Sequence, residues 1–310
     1  MVERQAGAAT GRDTVTGFRT TGLPLALLTV AIARPAAAVA QATPSPLSRP
    51  VDYEPAWSPD GRHLAFISNR TGALKLWTMA ADGSDPRQLT TGVDEDDAPA
   101  WSPDGRRIAY VSMRGGDAEI FVVNADGTAP RRLTTSPGDD IHPQWSPDGR
   151  RLLFNSARRS RDPAHADVYE VFTMRPDGSD VRPLTHGGIA TYASLSPDGT
   201  RLVYRRQLAD GNSEIVVRGL EDSVEVNISR HPAFDGWPAW SRDGRRIVYA
   251  RESEDGTAVI LQVNADGTGE MAVVTGPGRN TNPRWSPVRD QLVFSRRVEG
   301  LVRLHIVDVP

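Results

Sequence analysis

One short motif recurs along most of the chain at a nearly constant interval. The motif reads Trp-Ser-Pro-Asp-Gly-Arg in its full form, and its six full or partial copies begin at Trp57, Trp101, Trp145, Leu195, Trp240 and Trp285. The copies are therefore 44 to 50 residues apart. A fixed period of this size indicates a repeat architecture, in which each unit buries its apolar surface against its neighbours.

Each repeat predicts four short antiparallel strands. The first strand ends at the motif, whose Ser-Pro-Asp-Gly segment favours a tight turn because Pro presets φ and Gly accepts a left-handed backbone. A second strand follows with apolar pairs such as Leu64 and Phe66, and a third ends in most repeats at an Asp-Gly hairpin such as Asp126-Gly127. A short fourth strand carries sequences such as Gln88-Leu89-Thr90. The pattern predicts an all-β fold, a six-bladed β-propeller of four-stranded antiparallel blades.

The N-terminal segment has the layout of an export signal. An apolar run of eleven residues, 23–33, follows Arg12 and Arg19 and precedes small residues. The run is shorter than the roughly 20 apolar residues that span a bilayer. We expect residues 1–42 to be a signal peptide, cleaved near Ala40 or Ala42, or else a disordered tail. The protein is then periplasmic or secreted, without stable membrane insertion after cleavage.

Composition excludes several classes of function. The 36 basic and 39 acidic residues give a formal net charge of -3, so no basic field indicates binding to nucleic acid. The absence of cysteine excludes disulfides, thiolate metal sites and cysteine nucleophiles. The sequence contains no Gly-x-Ser-x-Gly, no phosphate-binding loop and no His-Glu-x-x-His. We therefore expect a monomer that is not an enzyme and has no cofactor.

The repeats resemble those of the TolB-type six-bladed propellers. The resemblance rests on Trp57-Ser58-Pro59-Asp60-Gly61-Arg62, on Leu64-Ala65-Phe66, on Asp82-Gly83-Ser84 and on Gln88-Leu89-Thr90, and it covers residues 44–310. It implies a propeller that binds partners in the cell envelope, although similar repeats occur in gating domains of peptidases and in oligogalacturonate-lyase-like enzymes. TolB itself has an α/β domain ahead of its propeller. The short segment before Val51 predicts a stand-alone propeller here.

The loops that lead into each first strand contain the candidate binding residues. Five residues before each anchor the chain has Asp52, Asp96, Asp140, Ala190, Asp235 and Asn280. This recurring acid either caps its own loop or contacts a partner. Three residues before each anchor the side chains differ: Glu54, Ala98, His142, Tyr192, Trp237 and Asn282. A position that varies within a strict repeat is not required by the fold and is free to specify a partner.

The third repeat has an insertion between its second and third strands. The loop at 156–166 contains Arg158, Arg159, Arg161 and His165 and is predicted on the same face as the acidic loops. It either covers the channel mouth or grips a peptide or anionic group. The complete set of predicted partner-binding residues is Glu54, Asp96, Asp97, Asp140, His142, Arg158, Arg159, His165, Tyr192, Asp235, Trp237 and Asn282.

Arginines follow the Ser-Pro-Asp-Gly turns and are predicted on the opposite face. They are Arg62, Arg106, Arg150 and Arg245. Two interpretations remain open at this point, a solvated rim and an anion-binding surface.

Two functions from different classes follow from these patterns. The first is an exported, non-enzymatic module that binds an envelope protein or a peptide at its acidic channel face, where aromatic side chains lie within a polar rim. The alternative is a carbohydrate-active lyase with a histidine and a metal in the channel. That alternative predicts bound Mn²⁺ or Ca²⁺ and a carboxylate near His142.

The sixth repeat ends after its third strand, so another segment is expected to supply the fourth. Pro46-Leu47-Ser48 lies at nearly the same distance before Trp57 as Leu89 lies before Trp101. We expect 43–50 to act as linker and closing strand and 51–310 to form the propeller. Deletion of 43–50 should lower the melting temperature by many degrees, as measured by differential scanning calorimetry. An unchanged melt would reject this closure.

Overall fold

The computed structural model describes residues 50–159, 168–209 and 211–309. Its strands follow the six repeats in order. The first two repeats contain β1 (Asp52–Trp57), β2 (His63–Ser68), β3 (Lys75–Ala80), β4 (Arg87–Gln88), β5 (Asp96–Trp101), β6 (Arg107–Ser112), β7 (Glu119–Asn124) and β8 (Arg131–Arg132). The next two contain β9 (Asp140–Trp145), β10 (Leu152–Ser156), β11 (Glu170–Met174), β12 (Arg182–Pro183), β13 (Ala190–Leu195), β14 (Arg201–Gln207), β15 (Ser213–Gly219) and β16 (Glu225–Asn227). The last two contain β17 (Phe234–Trp240), β18 (Arg246–Glu252), β19 (Ala258–Asn264), β20 (Met271–Val274), β21 (Arg279–Trp285), β22 (Gln291–Val298) and β23 (Leu301–Asp308).

Each repeat forms an antiparallel meander, which we call a blade and number in chain order. The first four blades are separate four-stranded sheets. The fifth and sixth share one seven-stranded sheet, joined by a single parallel bridge between Ala258 and Arg279. The innermost strands neighbour one another in a closed cycle, β1–β5–β9–β13–β17–β21–β1. The predicted all-β propeller is confirmed, and in the described residues no helix is long and apolar enough to cross a membrane.

The turn between the first two strands of a blade is held by the side chains that the repeat motif provides. Ser58 Oγ donates to Asp60 Oδ1 at 2.6 Å, and the same carboxylate oxygen accepts the backbone N–H of Arg62 at 3.0 Å. Gly61 has a φ of +67°, a conformation that costs glycine little. The Ser–Asp bond recurs in blades two to five. The recurring aspartates of these turns are therefore structural.

A second recurring contact explains the Leu-Thr pair of the fourth strand. Thr90 Oγ1 accepts the backbone N–H of Leu76 at 3.0 Å, and Thr134, Thr185 and Ser229 make the equivalent bond in the next three blades. The hydroxyl thus continues the ladder where the short outer strand ends. A hydroxyl-bearing residue is needed there because the backbone donor is buried.

The hydrophobic core lies between blades. Its five clusters each combine residues of two successive blades, as where Ile67 and Leu76 of the first pack with Tyr110 of the second. A four-stranded sheet of this size cannot bury both faces alone, so its stability comes from its neighbours. The predicted closing strand at 43–49 lies outside the described residues. Adjacent to it, the carbonyl of Pro50 accepts a hydrogen bond from Arg303 of β23.

Three of the anchor tryptophans connect neighbouring blades through their indole N–H groups. Trp145 Nε1 donates to the carbonyl of Ala100 at 3.2 Å, and Trp240 makes the same contact with Ser194 at 3.3 Å. Trp57 reaches the carbonyl of Arg284 at 3.3 Å and so connects the first blade to the sixth. An arginine of the preceding blade lies over the indole in three cases, Arg107 over Trp145, Arg201 over Trp240 and Arg246 over Trp285.

A comparison of two tryptophans isolates the value of this hydrogen bond. Trp145 and Trp285 are equally buried and each lies under an arginine, but the buried Nε1 of Trp285 has no hydrogen-bond partner among the described residues. Trp145→Phe removes a satisfied donor, whereas Trp285→Phe removes an unsatisfied one. We expect Trp145→Phe to lower the free energy of unfolding by about 1 kcal/mol more than Trp285→Phe, as measured by urea denaturation. Equal losses would contradict a role for the indole N–H.

Candidate functional site at the channel mouth

Every innermost strand contains a β-bulge two to three residues before its anchor. In the first blade Tyr53 pairs with Ile67 and Ala56 pairs with Ala65, so two residues of the inner strand face a single residue of its partner. The other five inner strands show the same shift. Bulges re-aim side chains. Here the extra residue is the variable position identified in the sequence.

All six residues at the variable position adopt a left-handed backbone. Their φ angles lie between +48° and +56°, at Glu54, Ala98, His142, Tyr192, Trp237 and Asn282. For residues other than glycine this conformation costs about 1–2 kcal/mol each. The strain is repeated in all six blades, so it is a property of the fold, while the side chain that it directs toward the channel differs from blade to blade.

Three consecutive blades contribute an aromatic arc to the channel mouth. The rings of His142 and Tyr192 are 4.0 Å apart, Tyr192 and Trp237 are 5.6 Å apart, and Phe234 lies edge-on to Trp237 at 5.5 Å. We use the term aromatic arc for these four residues. Arg279 lies over the Trp237 ring at 5.4 Å.

An asparagine that the sequence analysis did not identify holds the first part of this arc. Asn155 Oδ1 accepts the backbone N–H of Tyr192 at 3.0 Å and lies 3.3 Å from His142 Nδ1. Its amide donates to the carbonyl of Ala190 at 3.1 Å, which connects the third and fourth blades. Burial lowers the pKa of His142 to about 3, so the imidazole is neutral at physiological pH. It can offer a hydrogen bond or a ring face to a ligand, but not a charge.

The opposite side of the channel mouth is acidic. Glu54 and Asp97 come from the first two blades, and Asn282 of the sixth donates to Glu54 Oε1 at 3.4 Å. Burial, and then the neighbouring Asp97 carboxyl, raise the pKa of Glu54 well above its usual value, and burial raises the pKa of Asp97. Glu54 Oε2 is buried without a hydrogen-bond partner in the described part of the chain. Arg284 provides a compensating positive charge nearby.

The side chains nearly fill the channel between these two halves. The remaining cavity measures about 20 Å³ and is lined by Glu54, Pro55, Ala98, Pro99, His142, Gln144, Tyr192, Asn282 and Arg284. A space of this size holds about one water molecule. A typical small-molecule site measures about 300–1,000 Å³. This cavity is therefore too small to hold a small-molecule ligand.

The predicted residues five positions before the anchor lie beneath the surface. Asp96, Asp140 and Asp235 are at most 1% exposed and bind cationic side chains of the protein itself. Asp235 forms two hydrogen bonds with Arg251, at 2.8 and 3.0 Å, and Asp140 Oδ2 bonds Arg158 at 2.8 Å. These three acids support the loops around the mouth instead of contacting a partner directly.

The second blade uses the only lysine of the chain for the same purpose. Lys75 is 1% exposed, and its Nζ lies 3.3 Å from Asp96 Oδ2 and also donates to the carbonyl of Asp94. Thr90 Oγ1 donates to the same carboxylate at 2.5 Å. The sequence analysis did not identify this buried pair. Lys75 comes from the third strand of the first blade, whereas Arg251 lies in the second strand, and Arg158 just after the second strand, of the blade that contains its partner acid.

The arginines of the third-blade insertion occupy different positions. Arg158 lies over Phe154 and Phe172, each at 5.1 Å, in addition to its bond with Asp140. Arg159 is exposed, 3.5 Å from Glu170 and 3.2 Å from His186 Nδ1. Arg159 is therefore available to a partner, whereas Arg158 is mainly structural. His165 lies outside the described residues.

Two further arginines near the channel were missed by sequence reasoning. Arg284 precedes an anchor tryptophan, where the other blades have Ala56, Ala100, Gln144, Ser194 and Ala239. The variation at this second position could have identified Arg284 as a candidate channel residue from the sequence. Arg205 is 2% exposed, bonds Ser213 Oγ at 2.6 Å and Thr191 Oγ1 at 3.1 Å, and lies 4.8 Å from the Phe234 ring. Burial lowers the pKa of both arginines.

The acidic half of the mouth generates a pH prediction. When folding raises the pKa of a carboxyl, the protein loses stability as the pH rises above the pKa of that group in the unfolded chain, which is about 4.3 for glutamate. Glu54→Gln should therefore increase the free energy of unfolding at pH 7 and have little effect at pH 3. Asp104→Asn is the control of opposite sign, because hydrogen bonds from Ser102 and the Arg106 backbone lower the pKa of Asp104. Urea denaturation at both pH values checks the prediction. A Glu54→Gln protein that is less stable at pH 7 would contradict it.

Known proteins resemble this chain in fold and, over a short segment, in sequence. TolB from Acinetobacter baumannii superposes with a TM-score of 0.67 and 21% identity over 77% of this chain and 58% of that chain. The putative TolB from Agrobacterium tumefaciens superposes with a TM-score of 0.66 and 22% identity, over 85% of this chain and 92% of that chain. An oligogalacturonate lyase from Vibrio parahaemolyticus superposes with a TM-score of 0.56 and 13% identity, over 84% of this chain and 92% of that chain. The TM-scores indicate a shared fold, and identities this low indicate nothing beyond the fold.

One curated protein matches this chain over a short stretch. A stretch of 38 residues is 55% identical to the uncharacterized peptidase YuxL of Bacillus subtilis. This stretch makes up 12% of this chain and 6% of that protein. The family described as the TolB beta propeller domain, PD40, matches residues 94–287. This match covers more than half of the chain and includes the anchors from Trp101 to Trp285. The chain belongs to the TolB β-propeller domain family.

Proposed function

We propose that the protein is an exported, non-enzymatic binding module that holds a protein or peptide partner at its channel mouth. The observation on which this proposal depends is the combination of six differing side chains, directed by six equivalent strained bulges, with a channel cavity of only about 20 Å³. The fold maintains a costly backbone conformation that aims the variable residues at the mouth, yet it leaves no room for a small-molecule substrate. This arrangement favours recognition of a surface.

The composition of the mouth suits a peptide segment. The aromatic arc and the acidic half line the mouth from opposite sides, with Arg159 exposed at its edge. Aromatic anchors surrounded by polar groups are typical of protein interfaces. By analogy, similarity to TolB proteins supports an envelope location, periplasmic or secreted, for the proposed module.

The alternative, a lyase-like enzyme with a metal in the channel, depends on acidic ligands around His142. The hydrogen-bonding partner of His142 in the structure is the amide of Asn155. Among the described residues no group of three or more histidine and acidic side chains is placed to hold a metal ion. Metal analysis of the purified protein distinguishes the two functions, because stoichiometric Mn²⁺ or Ca²⁺ would favour the lyase.

Affinity capture from an envelope fraction tests the binding module. A triple variant, His142→Ala, Trp237→Asn and Arg159→Ala, removes one aromatic face, the central ring of the arc and the exposed cation. The first two replacements are residues that other blades have at the same position, Ala98 and Asn282. We expect at least one protein captured by the wild type to be lost.

A control triple variant changes the opposite face and leaves the mouth intact. Arg62→Thr, Arg106→Thr and Arg245→Thr each introduce the residue that the fourth blade has as Thr200. This control should capture the same proteins as the wild type. Identical captures by all three proteins, each with a wild-type melting temperature, would exclude the channel mouth as the binding site.

A further inference from the structure

A wide cleft lies on the face opposite the channel mouth. It measures about 590 Å³ and is lined by Arg107, Arg131, Asp148, Arg150, Arg151, Arg175, Pro176 and Asp177. These residues belong to the second and third blades and to their turns. The inner strand β9 begins at the mouth with Asp140 and ends at this face with Trp145, so the cleft is a separate surface.

Five arginines in one cleft exceed what the repeat requires. At the junction of the first and second blades the equivalent positions hold His63 for Arg107 and Asn124 for Arg175. Asn124 and Asn264 bond the threonine of their own hairpin, at 2.9 and 3.0 Å, which shows what the repeat uses at this position. Arg175 replaces that local bond with a cationic group that is exposed to solvent.

The arginines differ in how far the protein already uses them. Arg151 bonds Thr173 and Asp180, and Arg131 donates to the carbonyls of Pro176 at 2.9 Å and Asp177 at 3.1 Å. Arg150 is exposed, and the described residues provide no ion pair for it. Arg175 has only a 3.8 Å contact with Asp180 Oδ2. Two of the guanidinium groups are thus free to bind a ligand, while the others form a fixed frame around them.

The two aspartates of the cleft indicate the class of ligand. Asp148 Oδ1 is occupied by Ser146 and by the backbone N–H of Arg150, and Asp177 Oδ1 by Ser179. In each carboxylate Oδ2 has no hydrogen bond within the described part of the chain. A site with free guanidinium donors and free carboxylate acceptors matches a ligand that has both carboxylates and N–H donors. The two carboxylates reduce the positive charge of the cleft and favour a ligand that also has N–H donors over one with anionic groups alone.

We propose that this cleft, between the second and third blades on the turn face, binds an acidic peptide segment. Arg150 and Arg175 pair with glutamate or aspartate side chains of the peptide, since guanidinium binds carboxylate in a bidentate manner. Asp148 and Asp177 accept backbone N–H groups of the same segment. This proposal is independent of the function proposed for the channel mouth.

Fluorescence anisotropy with a fluorescein-labelled peptide, Gly-Glu-Glu-Gly-Glu-Glu, tests the proposal on the whole protein. We expect saturable binding that weakens between 50 and 200 mM salt. The variant Arg150→Thr with Arg175→Asn should bind roughly tenfold more weakly, since it removes two charge-assisted contacts. Both replacements occur at equivalent positions of other blades, at Thr200 and Asn124. Arg150→Thr alone, at an exposed position, serves as a second variant if the double variant is unstable.

The matched control removes the same charge from two turns outside the cleft. Arg62→Thr with Arg106→Thr changes two exposed turn arginines outside the cleft and should leave the affinity unchanged. The proposal is overturned if the wild type does not bind the peptide, if the control loses as much affinity as the cleft variant, or if the cleft variants bind like the wild type. Displacement of the peptide by inorganic phosphate at equal concentration would also reject a peptide-specific site.

Discussion

The contact between neighbouring blades is the interaction on which the rest of this structure depends. A four-stranded meander of about 45 residues has two apolar faces and no means of covering either one. Stacking in a ring solves the problem for every blade at once, because apolar side chains of successive blades pack together and three anchor tryptophans add an inter-blade hydrogen bond. Trp57 shows that the same contact joins the last blade to the first, because its indole N–H reaches the carbonyl of Arg284. The closed ring then fixes the position of every inner strand around the channel.

The ring also explains how one fold can support different binding surfaces. Each inner strand bulges at the same place, and each bulge directs one side chain to the channel mouth. The backbone cost is the same in all blades, so the side chain can change without changing the fold. In this protein the changes are not scattered. Aromatic residues come from three adjacent blades, and Glu54, Ala98 and Asn282 come from the other three.

The repeat allowed the fold to be predicted from the sequence. It also distinguished positions that recur in most blades, which are structural, from positions that differ between blades. The aspartates of the Ser-Pro-Asp-Gly turns are structural, since each accepts a bond from the serine two residues earlier. The recurring acid before the anchor was harder to interpret. An aspartate in an acidic loop looks exposed in a sequence, but Asp140 and Asp235 are buried by arginines from the next strand. That partnership joins residues 16 to 18 positions apart, and no local pattern reveals it.

By itself the sequence determined the number of repeats, the strands within each, the turn chemistry and the positions at which side chains are free to vary. These are local properties, set by strand periodicity and by the conformational preferences of Pro, Asp and Gly. Only the tertiary structure decided which variable side chains meet. The contact of His142 with Tyr192, and that of Arg131 of the second blade with Pro176 and Asp177 of the third, depend on how separate sheets pack together. Periodicity specifies each blade, but the ring places one blade beside another.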